Sequence, residues 1–475
     1  MQDFHTLIIE ILKYIPVSSN ISGLGFSIKT PILVPRTLYV FFSLVNNGLS
    51  NFNLTKPTVN YTPIKLSSTI KYQENWRLFF IQYAFNKLNS NFFNNNFNVS
   101  FLPGIFPGMN NSMYQQFLRM FKLPIGSLTK SLDAFYTSLD NDGWKVMNSY
   151  TSNDLPNKTS FIDRDNVQDI NSFTHPDQWT PIKINGIVQK PLHIKAKNVS
   201  SLLSQATISS LQQELNGFFN KITDQERDKE YRNVYDMSLN LTDEQKAIAE
   251  YWAGGSGTLT PPGYWNLFAW ICCTNKNTDF FQTTKLFTVL NASLYQGGLL
   301  AWTLKYNLFE ERPIQHIRRT IDESISNFYF PDITSSKLWL PYQEKDFVTP
   351  PFPDFVSGHS TFSSIGATIL QTYFGDDLLE LNLKVEGSLM KLVCPLFNNE
   401  CEATVELSCV NIYPKTSTIN SSYPTKMVSL RFDSWSDMSL QAGLSRIYGG
   451  IHIQSSNYSG YIVGERVARE MMKVM

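Results

Sequence analysis

Three short stretches, far apart in the chain, carry residue types that together could hold a buried anion. In Ala301 to Pro313, AWTLKYNLFEERP, Lys305 and Arg312 stand seven residues apart. On a continuous helix that spacing falls about 20° short of two turns, so both cations are expected on one helical face. In Pro350 to Ser364, PPFPDFVSGHSTFSS, residues Ser357, Gly358 and His359 are adjacent. A helix opening there would aim its first N–H groups, which have no intrahelical partners, at one place. Gly358 allows close approach of a ligand oxygen, Ser357 adds a hydroxyl donor, and His359 lies in the first turn. In Ala442 to His452, AGLSRIYGGIH, Arg446 and His452 are six residues apart, which on a straight helix separates them by about 120°. Gly449-Gly450 predicts a break between them, and a break lets both side chains reach one centre. Each glycine in a helical run costs about 1 kcal/mol relative to alanine, so a compensating role is expected. Three cations and two histidines suit a buried tetrahedral oxyanion, because hydrogen bonds to an ionised partner are about twice as strong as neutral ones and arginine offers a planar fork.

Each stretch alone has an ordinary reading. Ser-Gly-His is also a plain N-capped helix with a surface histidine. Lys305 and Arg312 could be a solvated face paired with Glu310 and Glu311. The argument rests on the three together.

The elements that must position them read as mainly helical. Helical spacing is seen at Phe4 to Tyr14, stopped by Pro16, and at Pro35 to Leu49, Trp76 to Leu88 and Met113 to Phe121. Asp140 to Gly143 reads as a turn. Thr151 to Val199 reads as a long ordered excursion carrying Trp179-Thr180-Pro181-Ile182. Helical spacing returns at Ser200 to Phe219, and Thr242 is a candidate N-cap for a helix ended by Gly254-Gly255. Thr260 to Asn266, TPPGYWN, turns into a further helix. Asp279 to Leu304 is a long apolar stretch with Gly297-Gly298 inside it, allowing close packing or a bend. A helix follows Ser360, and the chain is helical again from Ser434, broken near Gly449-Gly450. Between them ATVELSCVNIY and KMVSLRF alternate as strands do, which predicts a small β-like insertion near residues 400–432.

Composition bounds the partners. The chain has 475 residues, with 40 Lys+Arg against 40 Asp+Glu, so no global field favours nucleic acid or an anionic membrane. Any anion site must come from a local cluster. Five cysteines, an odd number, give poor support for a disulfide framework, and the sequence has no Cys-x-x-Cys or HExxH zinc pattern. MQDFHTLIIEILKYIP lacks a basic leader and does not read as a signal peptide. No apolar run reaches about 18 residues, so no membrane span is expected. The expectation is a soluble chain, cytoplasmic by default, with a homo-oligomer open.

The order Lys-x6-Arg-Pro, Ser-Gly-His, Ser-Arg-x5-His resembles the vanadium-dependent haloperoxidases and the acid phosphatases that share their fold, the phosphatidic acid phosphatase type 2 superfamily. TPPGYWN, AWTLKY, PPFPDFVSGHSTFS and GLSRIYGGIH look like bacterial haloperoxidase homologues. The resemblance is clear over residues 240–475, a catalytic part, and faint over 1–239, an N-terminal helical part of the same fold. It implies helical bundles with the anion site in one bundle core. It implies that Lys305, Arg312 and Arg446 neutralise the oxygens of vanadate or phosphate, helped by Ser357 and the Gly358 N–H. His452 would be the vanadium ligand, or the nucleophile towards phosphorus, and His359 the general acid/base. Lys305 would also polarise bound hydrogen peroxide. Trp302 and Phe352 match aromatic positions linked to chloride-oxidising members, as candidate halide-pocket residues.

Three positions depart from the pattern. Val356 replaces the proline before Ser-Gly-His in the phosphatase signature. Ser456 stands where that signature has an aspartate, four residues after the last histidine, that orients the nucleophile. Gln296 stands about where bacterial homologues carry an acid behind an active-site arginine. The resemblance implies a peroxidase that oxidises chloride or bromide with hydrogen peroxide at bound vanadate. Two alternatives stay open: a soluble acid phosphatase acting on a phosphate ester through His452, and a scaffold of this type without catalysis.

Overall fold

The computed structural model describes residues 2–17, 30–64, 66, 74–92, 125–255, 258–326, 328–375, 378, 383–386, 404–413, 417, 419–420 and 423–475. Its helices are α1 (Gln2–Tyr14), α2 (Leu33–Ser50), α3 (Glu74–Phe92), α4 (Ile125–Asp140), α5 (Gln205–Lys221), α6 (Asp224–Ser238), α7 (Asp243–Tyr251), α8 (Thr260–Asn275), α9 (Phe280–Leu308), α10 (Pro313–Thr320), α11 (Gly358–Phe374), α12 (Trp435–Tyr448) and α13 (Gln454–Val474). The mainly helical expectation holds. The helix expected at Met113 to Phe121 lies outside the described residues. The charged segment Asp224–Ser238 gave no apolar stripe to read, yet it is helix α6, started by a capping box at Thr223 and Glu226. Thr242 caps α7 as expected, accepting from the Gln245 N–H.

Helix α11 lies at the centre and packs against α8, α9, α12 and α13, while α2 covers α9 from the other side. The glycine pair in α9 does not break it. α9 runs unbroken from its Asp279 cap to Leu308, and the pair serves close packing instead. A methyl group on Gly297 would lie 2.3 Å from Ile365 of α11. One apolar core runs from Phe4 of α1 to Met471 of α13 and includes residues of α2, α3, α8, α9 and α11.

Two small sheets flank the helices. β1 (Ile162–Asp163), β2 (Ile182–Ile184) and β3 (Ile187–Val188) form one inside the 151–199 excursion, which the sequence reading left without strands. β4 (Lys384–Glu386), β5 (Thr404–Glu406), β6 (Cys409–Ile412) and β7 (Val428–Arg431) pair antiparallel in order, at the expected insertion. No helix among the described residues is long and apolar enough to cross a membrane.

Candidate functional site

Lys305 and Arg312 do not share a face of one helix, contrary to expectation. α9 ends at Leu308, Phe309 takes the left-handed conformation (φ +51°), and Arg312 is the N-cap of α10 with Pro313 at its first position. Pro313 cannot donate to a continuing helix, so the chain turns here. The cations converge all the same. The Lys305 ammonium donates to the carbonyls of Pro353 (2.9 Å) and Asp354 (2.7 Å). Arg312 donates from Nε to the Phe352 carbonyl (2.9 Å) and from Nη1 to the Ile451 carbonyl (2.5 Å). Both therefore brace the approach to α11, and Arg312 also reaches the loop before His452.

The turn also settles the fate of the neighbouring acids. Glu310 accepts from Tyr231 Oη (3.1 Å) and faces Arg227 at 3.6 Å. Glu311 pairs with His316 Nδ1 (2.7 Å) and Arg319 (2.6 Å). Neither is paired with Lys305 or Arg312, so the solvated-face arrangement is not the one adopted. Burial lifts the Glu310 carboxyl to about 8, against the pull of Arg227.

Ser357 is the N-cap of α11, its Oγ accepting from the Ser360 N–H (3.4 Å). Gly358 opens the helix beneath Trp302: a methyl group there would meet that ring at 3.2 Å. The break expected at Gly449-Gly450 is present. α12 ends at Tyr448 and Gly450 has φ +68°, a conformation that costs an L-residue about 1–2 kcal/mol. Beyond it the chain reverses, so that Arg446 and His452 line the same cavity.

The two histidines are held in opposite tautomers. His359 Nε2 lies 2.8 Å from the Trp252 carbonyl, which can only accept, so Nε2 carries the proton and Nδ1 the lone pair. His452 Nδ1 lies 2.6 Å from Asp354 Oδ1, while Arg312 Nη1 lies near both ring nitrogens, 3.2 Å from Nε2 and 3.5 Å from Nδ1. The carboxylate accepts, so here Nδ1 carries the proton and Nε2 the lone pair. Burial holds both rings well below the usual histidine range. The nearby cations push the same way, Arg446 foremost for His359 and Arg312 for His452. Burial likewise drives the Lys305 ammonium down, reinforced by Arg312, and brings Arg312 and Arg446 to about 10. An anion placed among them would oppose each of these shifts.

Asp354 is the residue that sequence reasoning missed. It is 0% exposed, and burial lifts its carboxyl to about 6 while Arg312, Ser456 and Lys305 pull it down. The signal was available: one acid stands in the apolar, proline-rich approach PPFPDFV, and if the site is buried, so is that acid. Gln296, by contrast, serves a loop. Its Oε1 accepts from Leu202 N (2.7 Å) and Ser201 Oγ (2.9 Å). Arg446 finds backbone carbonyls instead, donating to Ala249 (2.9 Å) and Ala253 (3.4 Å).

Gly358, His359, Arg446 and His452 open on a cavity of about 380 Å³, with Trp302 and Phe352 in its wall. These two rings lie 4.8 Å apart, and the Lys305 ammonium lies 5.0 Å from the Phe352 ring centre. Lys305, Arg312 and Ser357 are buried directly behind this surface. Arg312 Nη2 and Trp302 Nε1 are buried donors with no hydrogen-bond partner. Unpaired buried donors beside three cations fit an oxyanion such as vanadate or phosphate.

Comparison with known proteins bears on the fold. Residues 285–475 match the model of the VCPO second helical-bundle domain. No curated protein matches the chain in sequence. Among solved structures, the first bacterial vanadium-dependent iodoperoxidase is similar over 100% of this chain and 96% of its own, at 16% identity and a TM-score of 0.60. An apo-type bacterial vanadium-dependent chloroperoxidase is similar over 97% of each chain, at 14% identity and a TM-score of 0.62. A holo-type bacterial chloroperoxidase is similar over 96% of this chain and 94% of its own, at 15% identity and a TM-score of 0.59. Residues 285–475 thus match the second helical-bundle domain of this family model, and the chain shares the fold of these bacterial vanadium-dependent peroxidases over 96–100% of its length.

Proposed function

We propose that the protein is a vanadium-dependent haloperoxidase that oxidises chloride or bromide with hydrogen peroxide to hypohalous acid. The observation that carries the reading is that Arg446 and two histidines of opposite tautomer open on one cavity, with Lys305 and Arg312 buried beside it. Vanadate held there would supply a Lewis-acidic oxide that activates peroxide toward halide without changing oxidation state. Lys305, Arg312 and Arg446 neutralise its oxygens, with the Ser357 hydroxyl and the Gly358 N–H as further donors. His452 Nε2, the ring atom with the free lone pair, would hold the vanadium. His359 Nδ1 would act as the base that takes a proton from hydrogen peroxide. Trp302 and Phe352 form the wall against which the halide approaches. Residues 1–239 and 240–475 act as one unit, a reading supported by their shared core.

One observation favours a second reading. The phosphatase signature needs a carboxylate behind its nucleophilic histidine, and Asp354 stands behind His452. Without vanadate the same site would hydrolyse a phosphate ester, with His452 Nε2 as nucleophile.

The test is bromination of a generic acceptor by hydrogen peroxide, before and after orthovanadate is added, with His452→Ala alongside. Activity that needs vanadate, falls with phosphate and vanishes in the variant is expected. Phosphate release from an aryl phosphate without any halogenation would favour the second reading. Neither activity in the folded protein would refute both and leave the scaffold alternative.

A further inference from the structure

His452 needs a fixed ring to present one nitrogen to an anion, and the residue one helical turn after it, Ser456, carries no charge. Asp354 reaches the same ring atom from another segment. Its Oδ1 lies 2.6 Å from His452 Nδ1, where Ser456 Oγ lies 3.2 Å away. The Asp354 backbone is pinned three times. Its N–H donates to the Glu310 carbonyl (3.0 Å), and its carbonyl accepts from the Lys305 ammonium (2.7 Å) and Ser456 Oγ (3.1 Å). The same serine accepts the Ser357 N–H at its own carbonyl (3.0 Å), so α13 and the start of α11 are locked together at this point. Asp354 is therefore not a chance contact of a loose side chain. Its backbone is held by the residues that build the rest of the site.

We propose that Asp354 is the positioning residue of His452, supplying from the approach to α11 the carboxylate that position 456 lacks. This rests on reading His452 as the anion-facing histidine. One neighbour chooses the tautomer: Asp354 accepts from Nδ1–H, whereas Arg312 Nη1 lies close to both ring nitrogens and selects neither. Without the carboxylate, Nδ1–H keeps only the neutral serine hydroxyl at 3.2 Å, a weaker acceptor than an ionised oxygen. The preference of the ring then weakens, and a fraction of the molecules place a proton on Nε2, where it blocks the anion. Outer partners of this kind are worth roughly 10–100-fold in the affinity of the ligand they orient.

The experiment compares wild type with Asp354→Asn, Asp354→Ala and the double variant Asp354→Ala/Ser456→Asp. The His452 tautomer is read from ring ¹⁵N shifts in the anion-free protein, and orthovanadate binding from titration calorimetry. Thermal unfolding verifies that each variant is folded. The wild type should show the Nδ1–H form. Asp354→Ala should show a mixed tautomer and bind orthovanadate roughly 10–100-fold more weakly. The double variant should recover the Nδ1–H form and most of the affinity, because the carboxylate returns from the other side of the same nitrogen. Should Asp354→Ala not fold, the near-isosteric Asp354→Asn decides by the same two measurements. An unchanged tautomer with unchanged affinity in a folded variant would overturn the proposal, as would a folded double variant that recovers neither. A wild type that binds neither orthovanadate nor inorganic phosphate would refute the anion site itself, and the tautomer comparison would still decide the role of Asp354.

Discussion

Replacing His193 by phenylalanine should weaken the acid sensitivity of the folded protein. His193 is 0% exposed, neither ring nitrogen has a hydrogen-bond partner, and its ring meets Trp302 of the cavity wall edge-on at 5.5 Å. Burial alone pushes its pKa down to about 3. The unfolded chain takes up this proton near the ordinary histidine value of 6.5, while the folded chain takes it only near 3. Between those values the unfolded state binds more protons, so stability falls as pH falls. From about pH 7.5 to about pH 5 this single ring removes about 2 kcal/mol of stability. His193 has φ +60°, so phenylalanine adds some backbone strain, but that strain is the same at both pH values and drops out of the comparison. Urea unfolding of both proteins at both pH values measures the difference. The variant should lose about 2 kcal/mol less than wild type over the interval. Acid loss in the variant then comes from groups such as His359 and His452, which burial also holds neutral. Equal losses in the two proteins would refute the assignment of His193 as a ring buried uncharged.

Orthophosphate at about a hundred times its Kd should stabilise the protein by about 2.7 kcal/mol, and Arg446→Ala should abolish most of that gain; chemical unfolding with and without phosphate shows it. Gly450→Ala should cost about 1–2 kcal/mol for its left-handed backbone, and more because the new methyl group would lie 2.8 Å from Pro341 Cβ. Phosphate affinity should fall with it, since the same turn brings His452 to Arg446, and calorimetry measures both effects. Glu311→Ala, which strips Arg319 of its acid and leaves His316 with Asp228 alone, should destabilise the fold by about 3 kcal/mol. It should leave phosphate affinity unchanged because that acid faces away from the cavity; a matching loss of affinity would contradict the placement.

The site was legible wherever its logic is local. Ser357 as a cap, Gly358 for close approach and a break at Gly449-Gly450 all follow from short-range rules, and the structure has each of them. What failed was the step that assumed one uninterrupted helix. Lys305 and Arg312 meet because Pro313 and the left-handed Phe309 turn the chain, not because they share a helical face. Asp354 was passed over because its partner lies 98 positions away, and no local pattern pairs the two. Helix α6 was missed because only Tyr231, Val234, Tyr235 and Ser238 of its fifteen residues are buried, too few for an apolar stripe. Gln296 raised concern for an arginine it does not serve, since a single side chain cannot reveal which of several loops it will hold.

The turn between α9 and α10 is also stitched to a much earlier part of the chain. The Trp179 N–H donates to the Phe309 carbonyl (2.7 Å), and the Thr180 N–H to Gln315 Oε1 (3.0 Å). Two backbone donors of the 151–199 excursion thus fasten the junction that aims Lys305 and Arg312 at one point. During synthesis that excursion leaves the ribosome before any of the anion-facing residues exist, so the two donors precede the turn they fasten. A gene fragment starting at residue 285 would encode every motif residue and still lack the clasp that sets the angle between two of its three cations.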